Sequence, residues 1–366
     1  MAPDGCLCVP AIRLRHQMSG IFRGWGMSQQ HAEITAEVLV AADLAGIDSH
    51  GATMLALYEQ QIHAGKALAQ PDIRVVRERG AVMVIDAGAG FGQVPGMMAV
   101  EGVIERARSF GLGAASVRNS NHYGAAGIYA RRIADAGLVG ITTSSVWRPA
   151  IVPTGGKAPK LGTNPIAFAA PRKSGRPFLL DMATSAVAIG KIKLAIRAEQ
   201  DIPTGWAVNR EGAPQHHPTL DFFDTLLLPL GGDRLHGGHK GYGLATMVEV
   251  LSSALSGAAL TPLRGANDGA GDVGHFFMAL DPAFFRDDPD AFLADMDRLV
   301  DALRATPAAD PDVPVMVAGD PEYAREDERR RLGIPVPAKL AAELRAIAER
   351  AGASYVLETE EACATD

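Results

Sequence analysis

The sequence is poor in cysteine, which limits what its thiols can do. Among 366 residues there are three cysteines, Cys6, Cys8 and Cys363, and all of them lie near the ends of the chain. Their number is odd, and no two have the Cys-x-x-Cys spacing. We therefore expect neither a disulfide framework nor a structural zinc site, and a reducing cytoplasm fits best.

Long apolar runs and an excess of basic charge are also missing. No stretch has the apolar length that a membrane-spanning helix needs. The first residues, MAPDGCLCVPAIRLRHQ, lack the apolar core of a secretory signal. A net charge of −7 argues against a general nucleic-acid binder, and the triplet at 329–331 (Arg-Arg-Arg) is expected to be a solvated helix face. The expected partner is a small molecule rather than nucleic acid or a membrane.

The sequence contains enough apolar residues for a large core, and their spacing predicts both helices and strands. The apolar fraction is 47% and the charged fraction is 21%, and the length predicts two or three domains. Residues 11–62 and 337–352 have helical spacing, with Ser28 as an N-cap and Gly352 as a stop. The strand candidates between them are 81–88, 112–120, 139–146, 164–171, 176–182, 275–282 and 313–320.

Helical patterns over 95–110, around 128–134 and over 241–257 separate some of these strands. This alternation is typical of an α/β protein. Several strands between 138 and 181 follow one another without a helix, which favours antiparallel or mixed pairing.

A glycine-rich stretch at 86–96, DAGAGFGQVPG, stands where a dinucleotide-binding loop would be. Its glycines, Gly88, Gly90 and Gly92, have the wrong spacing, and no acidic residue clearly ends the next strand. We interpret it as a tight turn that needs positive φ and close backbone approach.

Four polar clusters interrupt otherwise apolar segments: 49–51 (Ser-His-Gly), 118–127, 180–185 and 237–243. The first two contain His50 and His122, and histidine can exchange protons near neutral pH. Asp181 ends an apolar strand, and Lys240 lies in a loop that opens a helix, which suits a phosphate. Each cluster alone can be a cap, a turn or an ordinary loop. Together, at the ends of elements, they predict an active site.

The residues also suggest two other kinds of site, a hydrolase triad and a metal site. Ser49, His50 and an aspartate could form a hydrolase triad, but no Gly-x-Ser-x-Gly motif is present and adjacent side chains would diverge on a regular helix. Histidines could also hold a metal, but they lack paired-ligand spacing, so no metal is expected. The best candidates would be His216, His217, His236 and His239.

Several long motifs come in one order along most of the chain. They are DSHG, SNHYGAAG, LGTNPIAFAAP, LDMATSAVAIGKI, IPTGWAVNREG and GHKGYGLATMVEVLSSALSG. In these motifs, over residues 10–350, the sequence resembles the type 2 malate/L-lactate dehydrogenase family. That family includes ureidoglycolate and sulfolactate dehydrogenases, diketogulonate reductase and reductases of the cyclic imines piperideine- and pyrroline-2-carboxylate.

The resemblance implies an α/β (α+β) fold without a Rossmann domain. It implies an NAD(P)-binding domain built on a mixed, mostly antiparallel sheet, formed by residues 79–235 with 263–321. A helical domain would comprise 10–78 with 236–262 and 322–352, leaving 1–9 and 353–366 as tails. The enzyme would be a homodimer with its active site near the domain interface.

The implied reaction is hydride transfer between NADH or NADPH and a small 2-oxo or 2-hydroxy acid, or a cyclic 2-imino acid. By the resemblance His50 is the general acid/base, with Ser49 and Asp181 as relay partners. His122 matches a histidine with that role in ureidoglycolate dehydrogenases. Both cannot be the principal acid, so we assign that role to His50 and expect His122 to orient the substrate or nicotinamide.

The resemblance also implies where the cofactor binds, although it does not separate NADH from NADPH. The stretch Ala-Gly-Asp at 318–320 replaces the usual Pro-Gly-Glu of the family, and its carboxylate could bind a ribose or adenine hydroxyl group. The expected cofactor contacts are His122, Asn164, Asp181, Met182, Ala183, Thr184, Ser185, Lys240, Gly319 and Asp320.

Two departures from the family bear on the substrate. Ala45 and Met54 stand where the family usually has arginines, and the second of those arginines binds the substrate carboxylate. Methionine cannot replace it. One hypothesis is that Arg148, or else Arg118, binds the anion. The alternative is a larger, less acidic or cyclic substrate against an apolar wall. The residues assigned to the substrate side are Arg148, Met54, Tyr58 and Trp147.

Overall fold

The computed structural model describes residues 6–219, 225–265 and 271–358. Cys363 and most of the two predicted tails lie outside these ranges. The helices are α1 (Ala11–Gly24), α2 (Gln29–Leu44), α3 (Leu55–His63), α4 (Gln93–Phe110), α5 (Ala126–Asp135), α6 (Ile189–Arg197), α7 (Gly238–Glu249), α8 (Pro289–Arg304), α9 (Asp320–Leu332) and α10 (Ala338–Arg350).

Strands and short turns complete the described part of the chain. The strands are β1 (Cys6–Val9), β2 (Arg74–Arg79), β3 (Val82–Asp86), β4 (Leu112–Ser120), β5 (Val139–Ser144), β6 (Ile166–Ala170), β7 (Phe178–Met182), β8 (Ala207–Val208), β9 (Leu226–Leu227), β10 (Val273–Leu280) and β11 (Ile334–Pro337). Single 3₁₀ turns form at Asp48–His50, Ala52–Met54, Thr261–Leu263 and Pro282–Phe284, and a π-helical segment follows α7 at Val250–Ala254.

A seven-stranded sheet forms the centre, in the order β2-β3-β4-β10-β5-β6-β7. Every neighbouring pair is antiparallel except β3 and β4. The helices α4 and α5 cover one face, while the π-helical segment at 250–254 packs on β10, β4 and β5. The expected mixed, mostly antiparallel sheet is therefore confirmed.

Most predicted elements form where the sequence placed them, but 313–320 does not become a strand. It is irregular and leads into α9. Pro314 has no N–H to donate to a neighbouring strand, and the N–H of Val317 donates to the Asp320 carboxylate at 2.9 Å. A single bond, from Leu179 N–H to the carbonyl of Ala318, ties it to β7. Pro314 and this local hydrogen bond therefore prevent the strand that the apolar pattern of 313–320 predicts.

A second core belongs to the N-terminal helices. Apolar side chains from α1, α2, α3 and α10 form one buried cluster, which residues of β1 and β11 also enter. Residues 6–9, predicted as part of a tail, are thus the strand β1, and Leu357 from the other predicted tail is buried in the same core. Residues 74–78, the end of the first segment of the predicted helical domain, belong with residue 79 to the edge strand β2 of the large sheet.

The segment 236–262, predicted as part of the helical domain, contains α7 and the π-helical segment. Ala245 of α7 packs in a third, smaller cluster with Ile151, Leu161 and Leu227, next to β8 and β9. The π-helical segment that follows lies on the large sheet. This segment therefore joins the sheet to the small cluster. Within the described residues, no helix is both long and apolar enough to cross a membrane.

Candidate active site

Two of the four predicted polar clusters meet at one edge of the large sheet. In the pairing, Asp86 of β3 lies beside Arg118 of β4, and Ser144 of β5 lies opposite His275 of β10. On the other side, Ile166 of β6 pairs with both Thr143 and Met182. The loops that leave β3, β4, β5 and β7 therefore start from the same edge. This topology brings the clusters at 118–127 and 180–185 together.

His50 lies in a 3₁₀ turn that a buried carboxylate supports. The N–H of Ala52 donates to Asp43 Oδ2 at 2.9 Å, and Asp43 is 3% exposed. A Cβ on Gly51 would lie 1.8 Å from Asp43 Oδ1, so only glycine fits there. Burial raises the pKa of Asp43 to about 8, although the Ala52 hydrogen bond opposes this. The turn places Ser49 Oγ 2.8 Å from His50 Nδ1.

The same turn is tied to α9 by an arginine that was expected to be solvated. Arg329 is 8% exposed and its guanidinium contacts both carboxylate oxygens of Asp48, one of them at 3.1 Å. It also donates to the carbonyl of Asp43. The prediction of a solvated face is therefore wrong for Arg329. Because this guanidinium binds both the turn and the end of α2, it restricts where His50 can lie.

His122 follows β4 and stands at the end of a hydrogen-bonded chain. Its Nδ1 is 2.8 Å from the Tyr58 hydroxyl, which in turn accepts from Gln93 Nε2 at 2.7 Å. The N–H of Gly124 also points at this Nδ1, at 3.4 Å. Tyr58, predicted as a substrate contact, is fully buried and stacks on Phe91 with centroids 4.5 Å apart. It therefore holds His122 instead of lining an open cleft.

The two histidines form a pair. Their ring centroids are 5.4 Å apart with planes 30° from parallel, and both side chains are half-buried. Burial lowers the pKa of His50 below its usual 6.5. Burial, the nearby His50 and His275 lower the pKa of His122 to about 3. A proton in this pair therefore resides on His50 in preference to His122.

Asp181 lies close to this turn, but its hydrogen bond goes elsewhere. It lines one cavity with Ala45 and Ile47, which precede the turn. Its Oδ2 accepts from the N–H of Gly127 at 2.7 Å, in the first turn of α5, where a helix favours negative charge. Burial raises the pKa of Asp181 to about 6, and Glu322 adds to the rise. The predicted relay from Asp181 to His50 stays a prediction.

Three of the predicted cofactor residues build the loops around the site. Asn164, which has φ +33°, donates to the carbonyl of Ala245 at 2.9 Å and to Glu249 at 3.2 Å. Thr184 Oγ1 donates to backbone carbonyls of the 163–164 loop, and Ser185 Oγ to that of Val187. These hydroxyls are buried, whereas Met182 and Ala183 are half-buried. The loop therefore presents residues 181–183 outward.

The remaining predicted cofactor contacts lie at the first turns of α7 and α9. Lys240 is exposed next to the helix N-terminus at Gly237, a combination that suits a phosphate. Gly319 begins α9 with φ +99° and packs against Leu179 of β7, two residues before Asp181. The carboxylate of Asp320 is bound by Arg304 and the Val317 N–H, so its oxygens already hold the loop together.

The residues predicted to meet the substrate have different surroundings. Met54 is half-buried against the helical core, Trp147 is half-buried, and Arg148 is exposed in the loop after β5. Arg118 lies 3.3 Å from Asp86 Oδ2, so a carboxylate of the chain already binds it.

Sequence reasoning missed His275 and Gln93. His275 lies in the middle of the sheet and is fully buried, with Ser144 and Ser120 hydroxyls 2.9 Å from its two ring nitrogens. It stacks on Tyr123, with centroids 4.4 Å apart. Burial lowers its pKa to about 3, so it is neutral. In the sequence, His275 could have been noticed as a histidine at the start of a predicted apolar strand.

The glycine-rich stretch at 88–92 is a tight turn, as interpreted. Gly88 has φ +58° and faces the backbone of Asp72, and Gly90 faces Pro71. A Cβ on Gly92 would be 2.7 Å from the carbonyl of Asn121 and 2.8 Å from His275 Nε2. The chain itself fills the space that a pyrophosphate would need.

The structure gives little support to the two alternative sites, the hydrolase triad and the metal site. Ser49 and His50 do meet, because a 3₁₀ turn replaces the regular helix on which they were expected to diverge. His217 and His236 each pair with an aspartate, Asp201 and Asp233. Within 6–219, 225–265 and 271–358, no three histidine, cysteine or acidic side chains are grouped to hold a metal ion.

Comparisons with known proteins agree on one family. A family profile described as malate/L-lactate dehydrogenase matches residues 9–345. The chain is 41% identical over 329 residues to malate dehydrogenase of Pyrococcus abyssi, covering 89% of this chain and 90% of that protein. It is 36% identical to L-sulfolactate dehydrogenase of Methanocaldococcus jannaschii, over 91% and 94% of the two chains. It is 35% identical to (2R)-3-sulfolactate dehydrogenase (NADP(+)) of Chromohalobacter salexigens, over 88% and 92%.

Solved structures agree with these sequence matches. Malate dehydrogenase from Pyrococcus horikoshii superposes with a TM-score of 0.86 at 37% identity, over 97% of this chain and 98% of the other. The Δ1-piperideine-2-carboxylate reductase from Pseudomonas syringae superposes with a TM-score of 0.83 at 28% identity, over 93% and 99%.

Proposed function

The chain belongs to the malate/L-lactate dehydrogenase family and is an oxidoreductase, and from that premise we propose its reaction. We propose that it transfers a hydride between NADH or NADPH and a small 2-oxo or 2-hydroxy acid, or a cyclic 2-imino acid, with His50 as general acid/base. The observation that carries the proposal is the half-buried pair of His50 and His122 at the sheet edge, 5.4 Å apart.

The residues present fit a nicotinamide cofactor. Lys240, at the N-terminus of α7, would bind its phosphates, and residues 181–183 with the loop 318–320 would lie along it. When bound, the cofactor supplies or accepts the hydride. The relatives' names include an NADP(+) enzyme, and either cofactor is compatible with this set of contacts.

The chain's own residues handle the proton. In the reductive direction, protonated His50 donates to the substrate oxygen or nitrogen as the hydride arrives at the adjacent carbon. Ser49 Oγ, on His50 Nδ1, keeps the other ring nitrogen directed away from the turn. We propose that Asp181 is the relay partner of His50, as the resemblance implies, while its Oδ2 accepts from the N–H of Gly127. In oxidation, neutral His50 removes the proton.

The pH dependence should report on His50. For reduction, kcat/KM needs the protonated ring, so it should fall as the pH rises through a pKa below 6.5. For oxidation the neutral ring is needed, so kcat/KM should rise through the same pKa and then level off. The measurement is initial rate against pH in both directions, repeated with His50→Gln. The assignment is wrong if the same limbs persist in that variant.

We propose that Arg148 binds the substrate carboxylate in place of the family arginine that Met54 replaces. Arg148→Ala should raise KM for a 2-oxo acid roughly 10- to 100-fold, because a charge-assisted pair contributes about 1.5–3 kcal/mol. Arg118→Ala, measured in parallel, tests the other candidate arginine, which pairs with Asp86. Equal KM in the wild type and the Arg148 variant would refute the relocation.

The alternative is a larger or less acidic substrate that packs on Met54 and Trp147, since both are apolar and half-buried. The test of the proposed function separates these cases. Oxidation of NADH and of NADPH is followed by absorbance against a panel of 2-oxo acids and cyclic imino acids. Turnover of small acids supports the main proposal, and turnover of cyclic imines alone supports the alternative. Failure with every compound and both cofactors contradicts the proposal.

Two further properties follow from the resemblance alone and are proposed with it. We expect a homodimer, which the mass in light scattering would report. We also expect the protein to work in the cytoplasm, where its cofactors are available and its few cysteines stay reduced.

A further inference from the structure

Gln93, Tyr58 and His122 form a hydrogen-bonded chain in which donors and acceptors can be assigned. Gln93 and Tyr58 are both fully buried, so their polar groups bond each other and His122 rather than water. The Gln93 amide nitrogen lies 2.7 Å from the Tyr58 oxygen, and that oxygen lies 2.8 Å from His122 Nδ1. Each link is of ordinary hydrogen-bond length.

Counting donors fixes which way the protons point. The amide nitrogen of Gln93 can only donate, so the Tyr58 oxygen accepts and its own hydrogen points to His122 Nδ1. A reversed chain would need a flipped amide and a proton on Nδ1. The N–H of Gly124, 3.4 Å from that Nδ1, disfavours the reversal, because a backbone donor cannot be flipped and would face a second N–H.

We propose that Gln93 and Tyr58 are positioning residues that hold His122 as the neutral tautomer with its proton on Nε2. This inference rests on the proposed function. His122 then offers one N–H to a carbonyl or amide oxygen of the substrate or nicotinamide, and it neither supplies nor removes the reacting proton. The division of labour between the two histidines follows: His122 orients, and His50 carries the proton.

The hydrogen bonds from Gln93 through Tyr58 to His122 fix the tautomer of His122 and do not transfer protons. If His122 gave up its Nε2 proton, Tyr58 would have to pass its own to Nδ1 and remain as a buried phenolate. Burial raises the pKa of Tyr58 well above its usual 10.0, which opposes that step. Protonation of Nδ1 from solution is opposed too, because the pKa of His122 is lowered to about 3.

The tautomer can be measured directly, by NMR on protein with ¹⁵N-labelled histidine. His122→Asn identifies the His122 signals among the ten histidines. We expect a protonated-type shift at Nε2 and an unprotonated-type shift at Nδ1, unchanged from about pH 5 to 9. A proton on Nδ1, or titration within that range, would overturn the inference. This measurement does not depend on turnover. The inference about the tautomer can therefore be refuted while the proposed function holds, and the proposed function can be refuted while the inference holds.

Variants then test what sets the tautomer. Tyr58→Phe removes the hydroxyl and keeps a ring to stack on Phe91. It should give a mixture of tautomers and lower kcat about three- to tenfold, with the His50 pH limb intact. Gln93→Met, which removes the donor at similar volume, should shift the tautomer in the same direction and keeps the test open if the Tyr58 variant does not fold.

Phe91→Leu is the matched control, because it removes the stacked ring and leaves all three hydrogen bonds. It should keep the Nε2 proton even if it lowers stability. An unchanged tautomer in both Tyr58→Phe and Gln93→Met, or a changed one in Phe91→Leu, would show that the chain does not set the state of His122.

Discussion

His50→Gln should lower kcat roughly 10²- to 10⁴-fold, the usual contribution of a general acid/base. Glutamine fills a similar space but cannot exchange a proton, so hydride transfer proceeds without a proton donor. The fold should survive, since the side chain is half-buried and its one described hydrogen bond is to the neighbouring Ser49. Binding of the reduced cofactor, measured by fluorescence, should change little.

Two other histidines make this result specific. His122→Gln should cost less in kcat than His50→Gln, because His122 orients and does not exchange the proton. His63→Gln, at an exposed histidine in the last turn of α3, should leave all constants unchanged. If His122→Gln is the more damaging variant and removes the pH limbs, the roles of the two histidines are reversed.

Gly51→Ala should damage both stability and activity. The new Cβ would lie 1.8 Å from Asp43 Oδ1 and 2.1 Å from its Cγ, and Asp43 is buried. Overpacking of this kind costs about 1–3 kcal/mol or more, so the melting temperature should fall by several degrees. The turn must also move, and a shift of about 1 Å at a catalytic group can cost about 10²-fold in rate.

A second substitution should partly undo the first. Asp43→Ala removes the atoms that the new Cβ meets, at the cost of the Ala52 hydrogen bond. The double variant should therefore be less destabilised than the sum of the two single variants, with a coupling above about 1 kcal/mol. Gly190→Ala in α6, where a Cβ has open space, is the control and should not destabilise the protein. Additive effects would mean that Asp43 does not confine the turn.

Elements with local signals could be predicted from the sequence. The strand at 112–120 and the helix that ends at Gly111 form as expected, because Gly111 takes the left-handed conformation, with φ +82°, that stops a helix. Ser28 caps α2 by accepting from the His31 N–H. These features depend on residues a few positions apart, which a sequence displays directly.

Features that depend on distant partners could not be predicted in this way. Arg329 looked like a surface residue because its partner, Asp48, is 281 positions away. Gln93 and His275 had no local pattern, since their partners come from other strands and helices. The clusters at His50, His122 and Asp181 could be identified as candidate catalytic groups, but the sheet register that brings the last two together is not visible in the sequence.

The most direct test of the central claim is a crystal structure of the enzyme with oxidised cofactor and an unreactive analogue of its 2-oxo acid. The quantity to measure is the distance from His50 Nε2 to the analogue's carbonyl oxygen. We expect about 2.6–3.2 Å, with the nicotinamide ring beside the carbonyl carbon. A cofactor bound away from both histidines, or a carbonyl oxygen within hydrogen-bond reach of His122 alone, would contradict it.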